Sequence, residues 1–195
     1  EMAAQRVIKG LESRNMEGYY AESKEEALKK ALELIPEGSS VGWGGSMSIK
    51  EMGLLDAVCS GNYTVYNRDI CKTPEEKRKT QLQIFTSDYF LCSTNAITED
   101  GVLVNVDGTA NRVSCSCWGP ANVVMIVGMN KLVKSVEDAV SRARHEAAPI
   151  NAQRFGLDTP CSKTGVCANC KSPDTVCCQV LVTWYSKEKG RIKVI

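Results

Sequence analysis

The sequence predicts a three-layer α/β/α domain on a mostly parallel sheet, with a β-meander set into it. Three observations lead there. Helical and strand-like stretches alternate along the 195 residues, the pattern of βα units around a sheet. The longest apolar run, Val123-Val124-Met125-Ile126-Val127, reads as a buried strand and falls far short of the ~20 residues that cross a bilayer. Two Asp-Gly pairs, Asp100-Gly101 and Asp107-Gly108, bracket Val102–Val106, and Asp-Gly between apolar runs is a strong hairpin signal. At roughly 150 residues per domain, residues 1–195 are expected to form one domain, with a cysteine-rich, metal-binding loop at 160–178.

Each element has a local reason. Val7, Ile8 and Leu11 recur at helical spacing within Met2–Arg14. Ser23-Lys24-Glu25-Glu26 is a capping box that opens a helix through Ala27, Leu28, Ala31, Leu32 and Ile35, stopped by Pro36. Val41-Gly42-Trp43 is a strand running into Gly44-Gly45-Ser46, after which Met47, Ile49, Met52, Leu55 and Val58 suggest a helix. Tyr63–Tyr66 is a further strand. Thr73-Pro74-Glu75-Glu76 starts a helix to about Phe85, with a capping threonine and proline at the first helical position. Tyr89–Cys92 follows as a strand, and then the meander. Ser135–Ala147 is a helix with Val136, Ala139, Val140 and Ala143 inward. Val180–Trp184 and Ile192–Ile195 are expected to pair as a hairpin around Lys189-Gly190, with the final strand or tail clipped.

Composition excludes several function classes. Lys and Arg number 24 against 23 Asp and Glu, so bulk charge does not suit a nucleic-acid binder or a protein held on an anionic membrane. No membrane insertion is expected. The first six residues hold no apolar signal core, which predicts a reducing, cytoplasmic setting. Ten cysteines stand against one histidine, His145. With a single histidine, a Ser-His-Asp triad, a histidine-rich zinc hydrolase and a facial-triad iron site are hard to build. Ten cysteines are about 5% of the chain, below the ~8–10% of a disulfide scaffold.

Their distribution is informative. Cys161, Cys167, Cys170 and Cys177 place four thiols in one short loop. A Cys-x2-Cys pair chelates naturally, and the flanking turns return the other two sulfurs. A zinc ribbon has two such pairs ~15–20 residues apart, whereas here there is one, so the spacing favours iron–sulfur ligation. Structural zinc and no metal remain the alternatives. Cys177 is taken as the fourth ligand and its neighbour Cys178 as core, because successive strand side chains point oppositely. Cys115 and Cys117 would share one face of a strand as small buried residues. Cys59, Cys71 and Cys92 are expected to be core or surface thiols.

A ligand site is expected beside the glycine loop. Gly44 and Gly45 let a ligand approach the main chain, and Ser46 stands at a helix start, where unpaired N–H groups favour an anion. The alternative is a tight turn with Ser46 only capping. Asn105 and Asp107 share a face if the segment is extended, and Asn111 and Arg112 follow; the guanidinium of Arg112 is a planar fork suited to carboxylate or phosphate. Asp107 and Glu99 are the candidate bases, against the plain reading of turn residues. Lys50 is a weaker candidate for the same ligand.

Gly42-Trp43-Gly44-Gly45-Ser46, Ser93–Gly101, Asn105–Gly108, Asn111–Val113, Gly119-Pro120, Gly128–Lys131 and Ala148–Ala152 together resemble the LUD-domain, or lactate utilisation protein, family. The run from Pro160-Cys161 through Cys167-x2-Cys170 to Cys177 is similar to that of its cysteine-bearing members. The resemblance implies a phosphosugar isomerase/CoA transferase-like fold with its ligand cleft beside the glycine loop. It also implies a bacterial or archaeal cytosolic protein linked to L-lactate oxidation through iron–sulfur partner subunits. Three readings follow. In the first, the chain binds a small organic anion or cofactor, and the cysteine loop holds a [4Fe–4S] cluster for electron transfer. The second is an isomerase or transferase acting on a phosphosugar or acyl-CoA, its cysteine loop on zinc (Zn). The third is a non-catalytic assembly or regulatory subunit. Formation of a homo-oligomer is left open.

Overall fold

The computed structural model describes residues 2–195. In chain order, the helices are α1 (Met2–Ser13), α2 (Lys24–Leu34), α3 (Met47–Glu51), α4 (Leu54–Ser60), α5 (Pro74–Phe85), α6 (Asn111–Cys117), α7 (Val136–Arg142), α8 (Ala148–Arg154) and α9 (Pro160–Thr164). The strands are β1 (Glu17–Gly18), β2 (Ser40–Trp43), β3 (Thr64–Tyr66), β4 (Tyr89–Cys92), β5 (Ala96–Thr98), β6 (Leu103–Asp107), β7 (Asn122–Met125), β8 (Leu132–Val133), β9 (Gln179–Thr183) and β10 (Ile192–Val194).

Six strands form a sheet in the order β1-β10-β7-β4-β2-β3, with every pair parallel. Successive side chains leave opposite faces, so each face builds its own core. On one face Val41, Trp43, Tyr89, Leu91, Val124 and Ile126 pack with Ala31 and Ile35 and with Ile49, Leu54 and Val58 of α3 and α4. On the other, Phe90, Cys92, Val123, Met125, Ile192 and Val194 meet Val7 and Leu11 of α1, Ile84 of α5 and Cys115 of α6. The chain therefore has the three-layer α/β/α fold.

A second sheet, in the order β8-β5-β6-β9, lies against that second face through Ile97 and Leu103. Its far side, Ala96, Val104 and Val106, is covered by Ala139 of α7 and by Ala143. Gly10 and Gly101 are what let α1 come down onto the β5–β6 turn. Gly101 has φ +86°, and a Cβ there would stand 2.5 Å from the Leu11 nitrogen; a Cβ on Gly10 would stand 2.3 Å from the Asp100 carbonyl carbon.

The caps behave largely as expected. Thr73 and Glu76 form a complete capping box at α5. Ser135 and Asp138 form another at α7, where the sequence predicts a helix but no cap. Ser23 caps α2 through the Glu26 N–H, while the Glu26 carboxylate takes the N–H of Glu22.

Five expectations need correction. Val180–Thr183 and Ile192–Val194 do not form a hairpin: β9 pairs antiparallel with β6, while β10 enters the parallel sheet between β1 and β7. The turn between them is drawn off by the end of α1, with Gly190 N–H donating to Asn15 O at 2.9 Å and Ser186 N–H to Arg14 O at 3.0 Å. The second Asp-Gly pair makes no hairpin either. The Asp107 carboxylate takes the N–H groups of Gly108, Arg112 and Val113 and turns the chain into α6. The meander's third strand is β9. Cys115 and Cys117 are helical, and a two-residue step on a helix separates faces, so Cys115 is buried and Cys117 exposed. The helix after the glycine loop is broken at Gly53, whose φ is +79°. Finally, the helix from Ser135 does not stop at Ala147: a π-helical turn, Ala143–Ala147, leads into α8 with Pro149 in its first turn.

Candidate functional site

In an open parallel sheet the ligand crevice lies beyond the carboxyl ends of the strands, where the order of strands reverses. Here β2 is followed by β3 on one side, and β4 then returns to the other side of β2. The crevice thus faces Gly44 after β2 and Ser93–Asn95 after β4. Residues following β7 reach the same end.

Three cations from three elements bind that Ser93–Asn95 segment. Arg112 of α6 donates from Nη1 to Ser93 O at 3.0 Å. Lys131, beyond β7, donates from Nζ to Ser93 Oγ at 2.6 Å and to Ser48 Oγ of α3 at 3.3 Å. Arg142 of α7 donates from Nη1 to Asn95 O and from Nε to Asn130 O. Among the described residues, neither Arg112 nor Lys131 forms an ion pair with a carboxylate. Burial, reinforced by the positive charges of Arg142 and Arg112, pulls the Lys131 pKa down to about 8.

Arg112 is placed at the crevice, yet its fork is engaged by protein. Besides Ser93 O, it donates to Asn105 Oδ1 at 2.8 Å, Asn95 Oδ1 at 2.9 Å and Val106 O at 2.7 Å. Of its five N–H groups these take four, so Arg112 pins the loops around the crevice and leaves the clamping of an anion to others. Asn105 is buried behind it, and its Nδ2 has no partner. Asp107 lies at the same end of β6 with both carboxylate oxygens held by backbone N–H groups, fixing the start of α6. The other end of α6 is held by buried Arg191, which donates to Cys115 O, Ser116 O and Pro120 O at 2.8, 2.8 and 3.0 Å.

The remaining expected residues separate. Gly44 is buried, its missing side chain making room for Arg112, since a Cβ would stand 3.1 Å from Arg112 Cγ. Gly45 faces open space, and Ser46 makes no cap bond to α3. Asn111 turns toward α5, its amide 3.5 Å from Gln81 Oε1. Glu99 sits at the far end of β5 from Asn95, its carboxylate 3.4 Å from Arg6. Lys50 is exposed. Sequence reasoning missed Lys131 and Arg142. The available signal for Lys131 was its place just after a buried strand, in Gly128-Met129-Asn130-Lys131.

The cysteine loop forms a second locus. Cys161, Cys167, Cys170 and Cys177 line one cavity of about 20 Å³ with Arg144 and Thr159. Cys177 turns inward and burial pushes its thiol pKa up. Cys178 is exposed rather than in the core as expected, because the strand begins only at Gln179 and its alternation does not reach this pair. The donor set suits a thiolate-held group, and Arg144 at the rim would offset thiolate charge. No group of three His, Cys, Asp or Glu among the described residues stands close enough to hold a metal ion, so the loop would have to tighten around one.

A family model for the LUD domain matches residues 4–195. The chain belongs to the LUD-domain family. That family is linked in general to lactate utilisation. A solved DUF162 family protein from Deinococcus radiodurans overlays this LUD-domain chain with a TM-score of 0.56 at 12% identity, covering 100% of this chain and 95% of that one. At that identity the likeness is one of fold. Ribose 5 phosphate isomerase A from Neisseria gonorrhoeae covers 58% of this chain and 54% of its own, and eIF2B delta from Chaetomium thermophilum 73% and 57%. Both reach a TM-score of only 0.37 at 14% identity and carry no argument. No curated protein matches this LUD-domain chain. No helix among the described residues is long and apolar enough to cross a membrane.

Proposed function

We propose that this LUD-domain chain binds a small organic anion at the crevice beyond β2, β4 and β7 and works within an L-lactate oxidation system. The observation that carries this reading is Lys131. It is a desolvated ammonium held only by two hydroxyls, beside two guanidiniums, with no carboxylate paired to it. A partly buried cation with no paired carboxylate is costly, and an incoming carboxylate offsets that cost. The roles divide accordingly. Lys131 meets the anion, with Ser48 and Ser93 holding its amine in place. Arg112 and Arg142 fix the Ser93–Asn95 segment and add positive potential.

Cys161, Cys167, Cys170 and Cys177 are the residues that would hold an iron–sulfur cluster, in keeping with electron transfer to iron–sulfur partner subunits. A bound cluster supplies one-electron chemistry. The isomerase-like reading draws less support, because Glu99 lies away from the crevice and Asp107 has both oxygens engaged.

Calorimetric titration with L-lactate, pyruvate and phosphate, on wild type and Lys131→Met, tests the anion site. Saturable carboxylate binding, weakened about 10- to 100-fold in the variant, is expected for a charge-assisted contact. Equal binding by both proteins, or none by wild type, overturns the reading. Anaerobic purification followed by iron, zinc and sulfide analysis tests the loop. Stoichiometric zinc without sulfide would replace the cluster with a structural metal.

A further inference from the structure

The anion site does not open only to solvent. Lys131 and Ser48 also line a cavity of about 570 Å³ that runs between α1, the start of α2, and the ends of β7 and β10. Most of its wall is apolar and comes from the two cores, including Val7, Leu11, Met52, Ile97, Ile126 and Val194. Its charged lining residues Glu22, Lys24 and Glu51 are exposed, which leaves Lys131 as the partly buried charge on its wall. Met47 and Met129, about half exposed, also line it. Methionine adapts its shape to ligands of varied outline.

A three-carbon acid on Lys131 would leave most of this volume unfilled. Cavities of ~300–1,000 Å³ accommodate ligands much larger than that, fixed by a few polar groups on an apolar wall. Resting on the anion reading above, we propose that the ligand is an amphipathic monocarboxylate: its carboxylate sits on Lys131 and its hydrocarbon chain lies in the cavity along α1 and β10. Charge complementarity fixes the head and the apolar wall fixes the tail. Ala27, on the wall where α2 begins, is the position from which a larger side chain would shorten the space.

The test is a homologous series of straight-chain carboxylates from acetate to octanoate, with octanamide as the uncharged control, titrated by calorimetry. Affinity should rise about three- to fourfold with each added methylene. Octanamide and the Lys131→Met variant should each lose at least tenfold relative to octanoate on wild type. Ala27→Leu, with an unchanged circular dichroism spectrum, should bind acetate as wild type does while losing the gain beyond the first few carbons. Affinity that does not change with chain length overturns this proposal and leaves the anion site standing. Octanamide binding as tightly as octanoate overturns both, because it removes Lys131 from recognition.

Discussion

The backbone N–H of Cys178 donates to the carbonyl oxygen of Asp107 at 3.0 Å. The two loci are therefore joined by a main-chain hydrogen bond at the end of the β6–β9 pairing. The carboxylate of that same Asp107 fixes the start of α6, and α6 carries Arg112 into the crevice. A change in the cysteine loop is therefore expected to reach the turn that orients Arg112 through this main-chain bond.

Asp107→Ala should lower stability by about 1–2 kcal/mol, because three backbone N–H groups lose their acceptor. Asp107→Asn, which keeps one oxygen, should recover part of that. Urea unfolding of the three proteins measures it, and an Asp107→Ala variant as stable as wild type would exclude the capping role.

Lys131 gives a pH signature. Its folded pKa, about 8, lies below the ordinary 10.5. The unfolded chain therefore binds more protons between these values, so stability rises with pH from about 8 to 10.5 and carries a constant penalty below about 8. Lys131→Met should stabilise the protein at pH 7 by on the order of 1–3 kcal/mol, a gain that fades as the pH approaches 10. The groups facing it are Arg142, Arg112, the Cys92 thiol, which stays neutral in this range, and Glu51, and the guanidiniums do not titrate either. Carboxylate affinity should be steady below pH 7 and fall toward tenfold per unit well above 8. Melting temperatures and titrations across pH 6–10 check both.

The thiols should divide by burial. Burial pushes Cys92 up to about 12 and Cys115 to about 11, so neither offers thiolate near neutral pH. At pH 8 a maleimide should modify exposed Cys59, Cys117 and Cys178 and spare Cys92 and Cys115 until urea is added. Mass spectrometry of the digested protein reads the pattern. Early labelling of Cys115 would contradict the helical placement of Asn111–Cys117.

Gly10→Ala and Gly101→Ala should each destabilise by at least ~1–3 kcal/mol, the cost of forcing extra atoms into a filled contact. Each new methyl meets backbone, which has little room to yield. Gly45→Ala faces open space and serves as the comparison. Equal melting temperatures for all three would mean that α1 does not seat on the β5–β6 turn.

Local rules carried the sequence a long way. Ser23 and Thr73 announce their helices because a cap involves only the next three residues. Val123–Met125 and Tyr89–Cys92 announce buried strands for a similar reason. What stayed hidden depends on remote partners. Val180–Thr183 and Ile192–Val194 look like neighbours, yet one pairs with β6 and the other with β7 and β1, a choice set by which surface each can bury. The Asp107-Gly108 pair has hairpin composition, but its carboxylate is captured by α6. Arg112 was legible as a cation near the crevice. That four of its donors would meet protein acceptors depends on Asn95, Asn105 and the Ser93 carbonyl, which no spacing rule brings together. Lys131 escaped notice because its significance lies in its surroundings.

The place of β10 has a consequence for how the protein is made. This strand, residues 192–194, lies between β1 and β7 and joins the first stretch of sheet to the rest. On the ribosome β1 and α1 emerge early but find no strand to pair with until β10 follows, after every other element of the sheet has been translated. Until then the edge of β7 that β10 covers has no partner strand, and an open strand edge is prone to association with other chains. A nascent chain arrested before Ile192 should therefore need chaperone protection that the finished protein does not.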